Sequence, residues 1–416
     1  LASILSIGAR RVLSLDTNPV PADWTHVTKV DPEGRKQLPV LFVPYLSHTS
    51  AVSVGGSSDV THENTAETFT LLKATGVPVI HEPSAAEHVT QAARDRAEFL
   101  AVPEVLNGDT DALVGTLGEG IKYVREDLGP RTVKRTLGIA PGGTLGDRLS
   151  DAAAAWFLEE AVFEAYIIMN PDSAAAREAN VGPEDLLDPA VAKERALAAE
   201  YHLDSEIIYL EYSGTYGGSE AVELLETIDA ARGWSRLWYG GGVDSREKAQ
   251  AVLEAGADSV VVGDAFHEVA VEERTLYERA REIFNGDPGR GRMREWLEET
   301  VNPAETDATR YLSTIPGVPA PERRAIEYLG AGIRLALVLR GVAEDHAGTD
   351  PDRQTLRAAL AERSLPGESA FADALDAGAV EQVRRLGVAM LAEHFGLEDA
   401  GGDSDRLPVR HVGIEL

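Results

Sequence analysis

The chain has 416 residues and carries 69 acidic against 39 basic side chains, a formal charge of -30, with seven lysines among the bases and no cysteine. Such acidity argues against nucleic acid as a partner, and the missing thiols exclude disulfides, thiolate metal sites and cysteine nucleophiles, with a cytoplasmic location as the default. Most of the excess acid precedes Pro288, and an acidic, lysine-poor surface suits a halophilic setting in which carboxylates keep a protein hydrated.

The opening LASILSIGARRVL is apolar but lacks the layout of a signal peptide, so residues 1–23 read as an N-terminal extension. Eight strand patterns follow, at Thr25–Val30, Ala51–Val54, Pro78–His81, Phe99–Val102, Glu164–Met169, Glu206–Leu210, Arg236–Tyr239 and Ser259–Val262. Helical periodicity separates most of them, over Thr65–Thr75, Asp111–Glu126, Pro189–His202, Ser219–Ala231 and Ser245–Ala255. Eight strands alternating with helices predict an α/β fold with a parallel sheet closed into a TIM barrel. Two connections are irregular. HEPSAAEHVTQAARDRAE, between strands three and four, carries too weak a period for a full helix, and the Gly-rich Leu128–Ser150 reads as a mobile surface loop.

After Ala265 the pattern turns to helices alone. HEVAVEERTLYERAREIF predicts the closing helix of the barrel, and NGDPGRG from Asn285 reads as a linker, which divides the chain into a barrel at 24–284 and a C-terminal all-α appendage at 292–416. The most apolar stretch, Ala325–Val342, contains Arg334 and Arg340 and is too short and too charged to span a bilayer. Cover for an apolar channel, docking on a membrane surface, assembly and simple packing beside the barrel all remain open for the appendage.

Chemistry concentrates where strands end. The apolar run Ile207–Leu210 passes into Glu211, Tyr212, Ser213 and Gly214, at the end of a parallel barrel strand that handles ligands. Gly240, Gly241 and Gly242 follow the seventh strand, and Gly263 with Asp264 follows the eighth. Glycine there lets backbone N–H groups approach a phosphate, and a following helix N-terminus adds a favourable dipole. Lys29 and Asp31 lie two apart and so share one face of the first strand, while Ser57 follows the second. One carboxylate and one hydroxyl with a substrate phosphate would serve a hard cation such as Mg²⁺, which keeps several waters.

Taken in order, KVDP, VGGSSDVTHEN, PEVLN, EAYIIMNPD, YLEYSGTYG, YGGGV and VVGD resemble the geranylgeranylglyceryl and heptaprenylglyceryl phosphate synthases over about Trp24 to His267. The resemblance implies a TIM barrel whose third helix is lost. It also implies Mg²⁺-dependent transfer of a polyprenyl group, C20 in first place, to the 3-hydroxyl of sn-glycerol 1-phosphate, making the first ether bond of archaeal-type lipids. A homo-oligomer and peripheral membrane contact belong to the same expectation. Carried over by motif, Lys29 binds the glycerol phosphate, while Asp31 and Ser57 hold the metal. Tyr209, Leu210, Glu211, Tyr212, Ser213 and Gly214 line the glycerol phosphate, with Glu211 on its hydroxyls and Tyr166 helping to position it. Gly240, Gly241, Gly242, Gly263 and Asp264 complete the phosphate cradle. Glu211 is also the carboxylate placed to take the proton of the attacking alcohol.

Three features depart from the family pattern: Asp264 stands where Asn is usual, Ser57 where Thr is common, and GTLGEG lacks the usual basic residues. Two other readings stay open, a moenomycin-type prenyl transfer to 3-phosphoglycerate and an inactive phosphate-binding barrel serving as a scaffold.

Overall fold

The computed structural model describes residues 16–56, 59–89, 91–138, 143–374, 378–397 and 407–416. Eight parallel strands form its centre: β1 (His26–Val30), β2 (Ala51–Val54), β3 (Val79–His81), β4 (Ala101–Val105), β5 (Val162–Ile168), β6 (Ile207–Glu211), β7 (Arg236–Gly240) and β8 (Ser259–Val262). They pair in the order β3-β2-β1-β8-β7-β6-β5-β4, so the first and last strands of the chain adjoin and the sheet curls into a barrel. Closure between β3 and β4 is confined to the base, where Glu98 N donates to Val79 O at 2.7 Å and His81 N to Phe99 O at 3.1 Å. β4 begins two residues later than expected and runs through Pro103. A proline, which has no N–H to donate, is tolerated there because only β5 pairs with β4 along its length.

Helices α1 (Phe42–Leu46), α2 (His62–Leu72) and α3 (Gln91–Arg94) lie outside the first strands, and α3 is a single turn, so the third barrel helix is indeed reduced. The next connection is not the loop expected over Leu128–Ser150. Helical backbone runs from Asp111 through α4 (Thr116–Tyr123) and α5 (Gly129–Leu137), then resumes as α6 (Gly143–Glu160). Pro130 begins α5 and Gly138, at φ +70°, ends it, so the residues that made the stretch look irregular are its caps. Helices α7 (Ala174–Glu178), α8 (Pro189–Ala198), α9 (Gly218–Asp229), α10 (Arg246–Glu254) and α11 (Asp264–Ile283) complete the barrel layer. Their starts follow local chemistry: Asp188 accepts from Val191 N at 2.9 Å to cap α8, and Ser245 accepts from Lys248 N at 3.3 Å to cap α10.

Six further α-helices follow among the described residues, α12 (Arg290–Thr300), α13 (Asp307–Thr314), α14 (Pro321–Asp345), α15 (Arg353–Ala361), α16 (Glu368–Ala374) and α17 (Ala379–His394). They share one continuous apolar core with the outer layer of the barrel, in which Phe266, Leu276 and Tyr277 join Tyr311, Leu329 and Leu335. Because alternate residues of β1 point outward, His26 and Thr28 face these helices: Thr28 Oγ1 lies 2.8 Å from Tyr311 OH, and His26 Nε2 lies 3.1 Å from Thr314 Oγ1. After the last helix, Gly413 N donates to Leu38 O and Leu38 N to His411 O, both at 2.8 Å, which ties the C-terminal segment to the connection after β1. The barrel floor is shut by Asp16–Trp24, where Asn18 donates to the carbonyls of Glu206 and Trp234 and Arg236 pairs with Asp16. Residues 1–15 of the expected N-terminal extension lie outside the described residues. Among the described residues no helix is long and apolar enough to cross a membrane.

Candidate active site

The C-terminal ends of the strands surround a cavity of about 570 Å³. At its base the inward residues are set by strand register: Lys29 pairs with Ser53, Tyr166 with Tyr209, and Ile168 with Glu211. The hub is Glu82, directly after β3. It accepts from Lys29 Nζ at 2.7 Å, Tyr166 OH at 2.5 Å and Ser53 Oγ at 3.0 Å. Burial alone would push the Glu82 carboxyl up, but the Lys29 charge and these three donors outweigh it and hold the group below the ordinary carboxylate range. Lys29 stays charged for the matching reason: burial opposes its ammonium, and Glu82, Glu211 and Asp31 more than compensate.

Glu211 closes β6 at the opposite wall. Burial pushes its carboxyl up to about 7, assisted by Glu82 and opposed by Lys29 and by hydrogen bonds with Ser213 and Tyr209. A carboxylate with that affinity for a proton can serve as a base near neutral pH. Tyr166 and Tyr209 stack with ring centroids 4.4 Å apart and planes 6° apart, so the two rings form one rigid wall between Glu82 and Glu211. Deeper on β5, Glu164 is fully buried with neither carboxylate oxygen hydrogen-bonded, and burial followed by the nearby Glu82 charge pushes it well above the ordinary range.

The outer rim holds Asp31. Its backbone N–H donates to His267 Nε2 at 3.1 Å, and His267 Nδ1 donates to Gln37 O at 3.0 Å, so one neutral imidazole of α11 pins both ends of the turn after β1. Lys36, inside that turn, donates to Asp31 Oδ2 at 2.5 Å and to Asp264 Oδ1 at 3.1 Å. An Asp264 carboxylate beside a phosphate would repel it, and the Lys36 ammonium meets that charge. No group of three His, Cys, Asp or Glu among the described residues is placed to hold a metal by itself. Asp31 offers one carboxylate to the cavity, with Oδ2 engaged by Lys36, so a hard cation such as Mg²⁺ would have to draw its other ligands from water and substrate phosphate. Ser57, the expected second ligand, lies outside the described residues.

The glycines act mainly through what a side chain would strike. A Cβ on Gly240 would fall 2.1 Å from Tyr209 OH, and one on Gly241 would fall 2.4 Å from Tyr212 Cβ. Gly240, Gly241, Gly242 and Gly263 line the cavity, with Gly242 in the left-handed region at φ +53°. Lys29, Asp31, Tyr166, Tyr209, Glu211, Ser213, Gly214 and Asp264 line it with them. Leu210 and Tyr212 do not. Strand alternation turns Leu210 outward into the core, and Tyr212 packs against Tyr239 with its hydroxyl donating to Glu220 at 3.2 Å.

Glu82, Ser53, Glu164 and Lys36 are the site residues that sequence reasoning misses. Glu82 had a usable signal, because a carboxylate just past a short apolar strand stands in the same relation to β3 as Glu211 does to β6. Lys36 had none, since it reaches the rim only through the shape of the Asp31–Gln37 turn.

A model of the PcrB family matches residues 21–283. The geranylgeranylglyceryl phosphate synthase of Methanosphaerula palustris is 30% identical over 250 residues, covering 59% of this chain and 92% of the relative. The heptaprenylglyceryl phosphate synthase of Bacillus cytotoxicus is 30% identical over 246 residues, covering 59% and 91%. Among solved structures, the (S)-3-O-geranylgeranylglyceryl phosphate synthase from Thermoplasma acidophilum, in complex with substrate sn-glycerol-1-phosphate, superposes with a TM-score of 0.43 at 21% identity, covering 58% of this chain and 86% of that one.

Proposed function

The chain belongs to the PcrB family, and from that premise we propose that it is a prenyltransferase joining the 3-hydroxyl of sn-glycerol 1-phosphate to a polyprenyl diphosphate, geranylgeranyl diphosphate in first place. The names of its relatives support the reaction class. The observation that carries the assignment is the pairing of a charged Lys29, fixed by Glu82, with a Glu211 carboxyl raised to about 7 across the same cavity.

A primary alcohol is a poor nucleophile until its proton is accepted. On this reading Glu211 accepts that proton as the glycerol oxygen bonds to the allylic carbon, the carbon–oxygen bond to diphosphate breaks, and diphosphate leaves. Lys29 and the backbone N–H groups of the glycine rim hold the glycerol phosphate, and the stacked Tyr166 and Tyr209 limit where the glycerol can sit. A hard cation held by Asp31 and Ser57 would neutralise charge on the departing diphosphate. Transfer to 3-phosphoglycerate would bring a further carboxylate into a cavity whose charged lining among the described residues is mostly acidic, so the site favours the acceptor without one.

Mass spectrometry of products tests the proposal. Purified protein with Mg²⁺ is incubated with sn-glycerol 1-phosphate or 3-phosphoglycerate and with C15, C20 and C35 diphosphates. The expected product is the C20 ether of glycerol 1-phosphate, and an ether formed only with 3-phosphoglycerate, or none with any pair, overturns it.

A further inference from the structure

Of the ten charged side chains that line the cavity among the described residues, eight are acidic and two, Lys29 and Lys36, are basic. Lys29 is engaged at the base with Glu82 at 2.7 Å, which leaves Lys36 as the lining cation of the outer rim, while Lys248 stands behind the lining with its Nζ on Gly242 O at 3.1 Å and Asp244 Oδ2 at 2.9 Å. Its ammonium touches Asp31, whose side chain is 9% exposed, and Asp264, whose side chain is 70% exposed. Asp264 follows Gly263 directly and opens α11, a helix of 20 residues, beside the glycines of β7 and β8. An unpaired carboxylate at that point would stand at the edge of the backbone N–H groups best placed to take a phosphate, and would repel it.

We infer that Lys36 is a positioning residue for substrate phosphate and that Asp264 is its tether: the aspartate holds the ammonium at the rim, and the ammonium cancels the aspartate's repulsion of the anion. The two side chains come from elements 228 residues apart, so the pair exists only in the folded barrel. Lys36 is one-third exposed and its side chain sits in a turn whose backbone is pinned independently by His267, so the ammonium can lean from Asp31 toward an arriving phosphate without disturbing the strand. Phosphate is the shared chemistry of both substrates, and the inference rests on the reading of the site as a prenyl-transfer centre only in naming sn-glycerol 1-phosphate as one ligand.

Titration calorimetry on the full chain, with chelator present and without any prenyl donor, tests it using sn-glycerol 1-phosphate, inorganic phosphate and inorganic diphosphate. Lys36→Met should weaken at least one of these anions by roughly tenfold, the scale of one uncompensated charge near the ligand. The ligand that loses most identifies the phosphate that Lys36 faces. Adding Asp264→Asn to that variant should restore affinity to within about threefold of the parent, because the repulsive charge leaves with its partner. A Lys36→Met variant that binds all three anions like the parent, or a double variant as weak as the single one, overturns the inference. A parent that takes the inorganic ions but not sn-glycerol 1-phosphate sinks the proposed acceptor while the pair is still read on the inorganic ions, and a parent that binds no anion sinks both.

Discussion

Glu211 and Glu82 are both buried carboxylates at the mouth of one cavity, yet their protons are held very differently. Glu82 has an ammonium and two hydroxyls donating to it, so the ionised form wins against burial, whereas Glu211 has weaker compensation and is raised to about 7. Two carboxylates driven apart in this way divide the labour of a site into a fixed anion that orients and a titrating group that exchanges a proton. Glu211→Gln keeps the volume of the side chain and one acceptor oxygen but cannot accept a proton. It should lower kcat by about 10² or more with little change in glycerol phosphate affinity. In the parent, kcat/KM should fall as pH drops below about 7, because the base is then protonated, and the residual activity of the variant should lack that acid limb. Pre-steady-state rates across pH 5–9 check both, and a variant with near-parent turnover removes Glu211 from proton transfer.

At the scale of elements, the C-terminal helices do the work of a missing barrel layer. The helix after β1 is the five-residue α1, too short to cover the strand, and α13 and α14 cover it instead. His26, Thr28, Tyr45 and Tyr311 all sit at 0% exposure along that seam. The linker at Asn285–Gly291 suggests from sequence that the barrel could stand alone, but cutting after Asp287 would uncover this seam together with the outer faces of α11. Each large apolar side chain uncovered forfeits about 1.5–3 kcal/mol, and several would be uncovered at once. The truncated barrel should therefore be insoluble, or elute as aggregate, under salt in which the full chain is monodisperse; a soluble, cooperatively unfolding truncation would show that the seam contributes little.

For the whole molecule, the internal acids couple stability to pH. The Glu273 carboxyl, at 0% exposure, accepts from Val40 N at 2.7 Å, and burial raises it from an ordinary 4.5 to about 8. Glu104, Glu211 and Glu272 are raised to about 7. Between 4.5 and 8 the folded chain keeps protons that the unfolded chain has released, so rising pH favours unfolding across that window. Buried His26 and His81, lowered to about 3, act the other way. The unfolded chain takes their protons below about 6.5, so their destabilising effect grows only as pH falls. From 6.5 to 8 the carboxylates act unopposed by these histidines, and the thermal midpoint should fall. Glu273→Gln should raise the midpoint at pH 8 by about 2 °C or more relative to the parent while changing it less at pH 5. Equal shifts at both pH values, by differential scanning calorimetry, would mean that Glu273 does not titrate in the folded chain.

The barrel itself was legible because its signals are local: an enclosed parallel strand needs a short apolar run, a helix needs its period and caps, and Gly240–Gly242 and the YLEYSG segment mark strand ends wherever the chain goes. Strand alternation even determined that Lys29 and Asp31 would share the inner face, whereas the same rule, not applied to the sixth strand, would have set Leu210 and Tyr212 apart from Tyr209 and Glu211. What depended on the tertiary structure was which distant groups meet there. Glu82 becomes the hub because β1, β2 and β5 each bring a donor to the end of β3, Lys36 reaches Asp264 because β1 and β8 adjoin, and the C-terminal helices become part of the barrel because the helix after β1 is too short to cover it. These are pairings across tens to hundreds of residues, and closing the barrel creates them: burial then makes each unpaired charge costly, and so decides both which carboxylate stays ionised and which one keeps its proton.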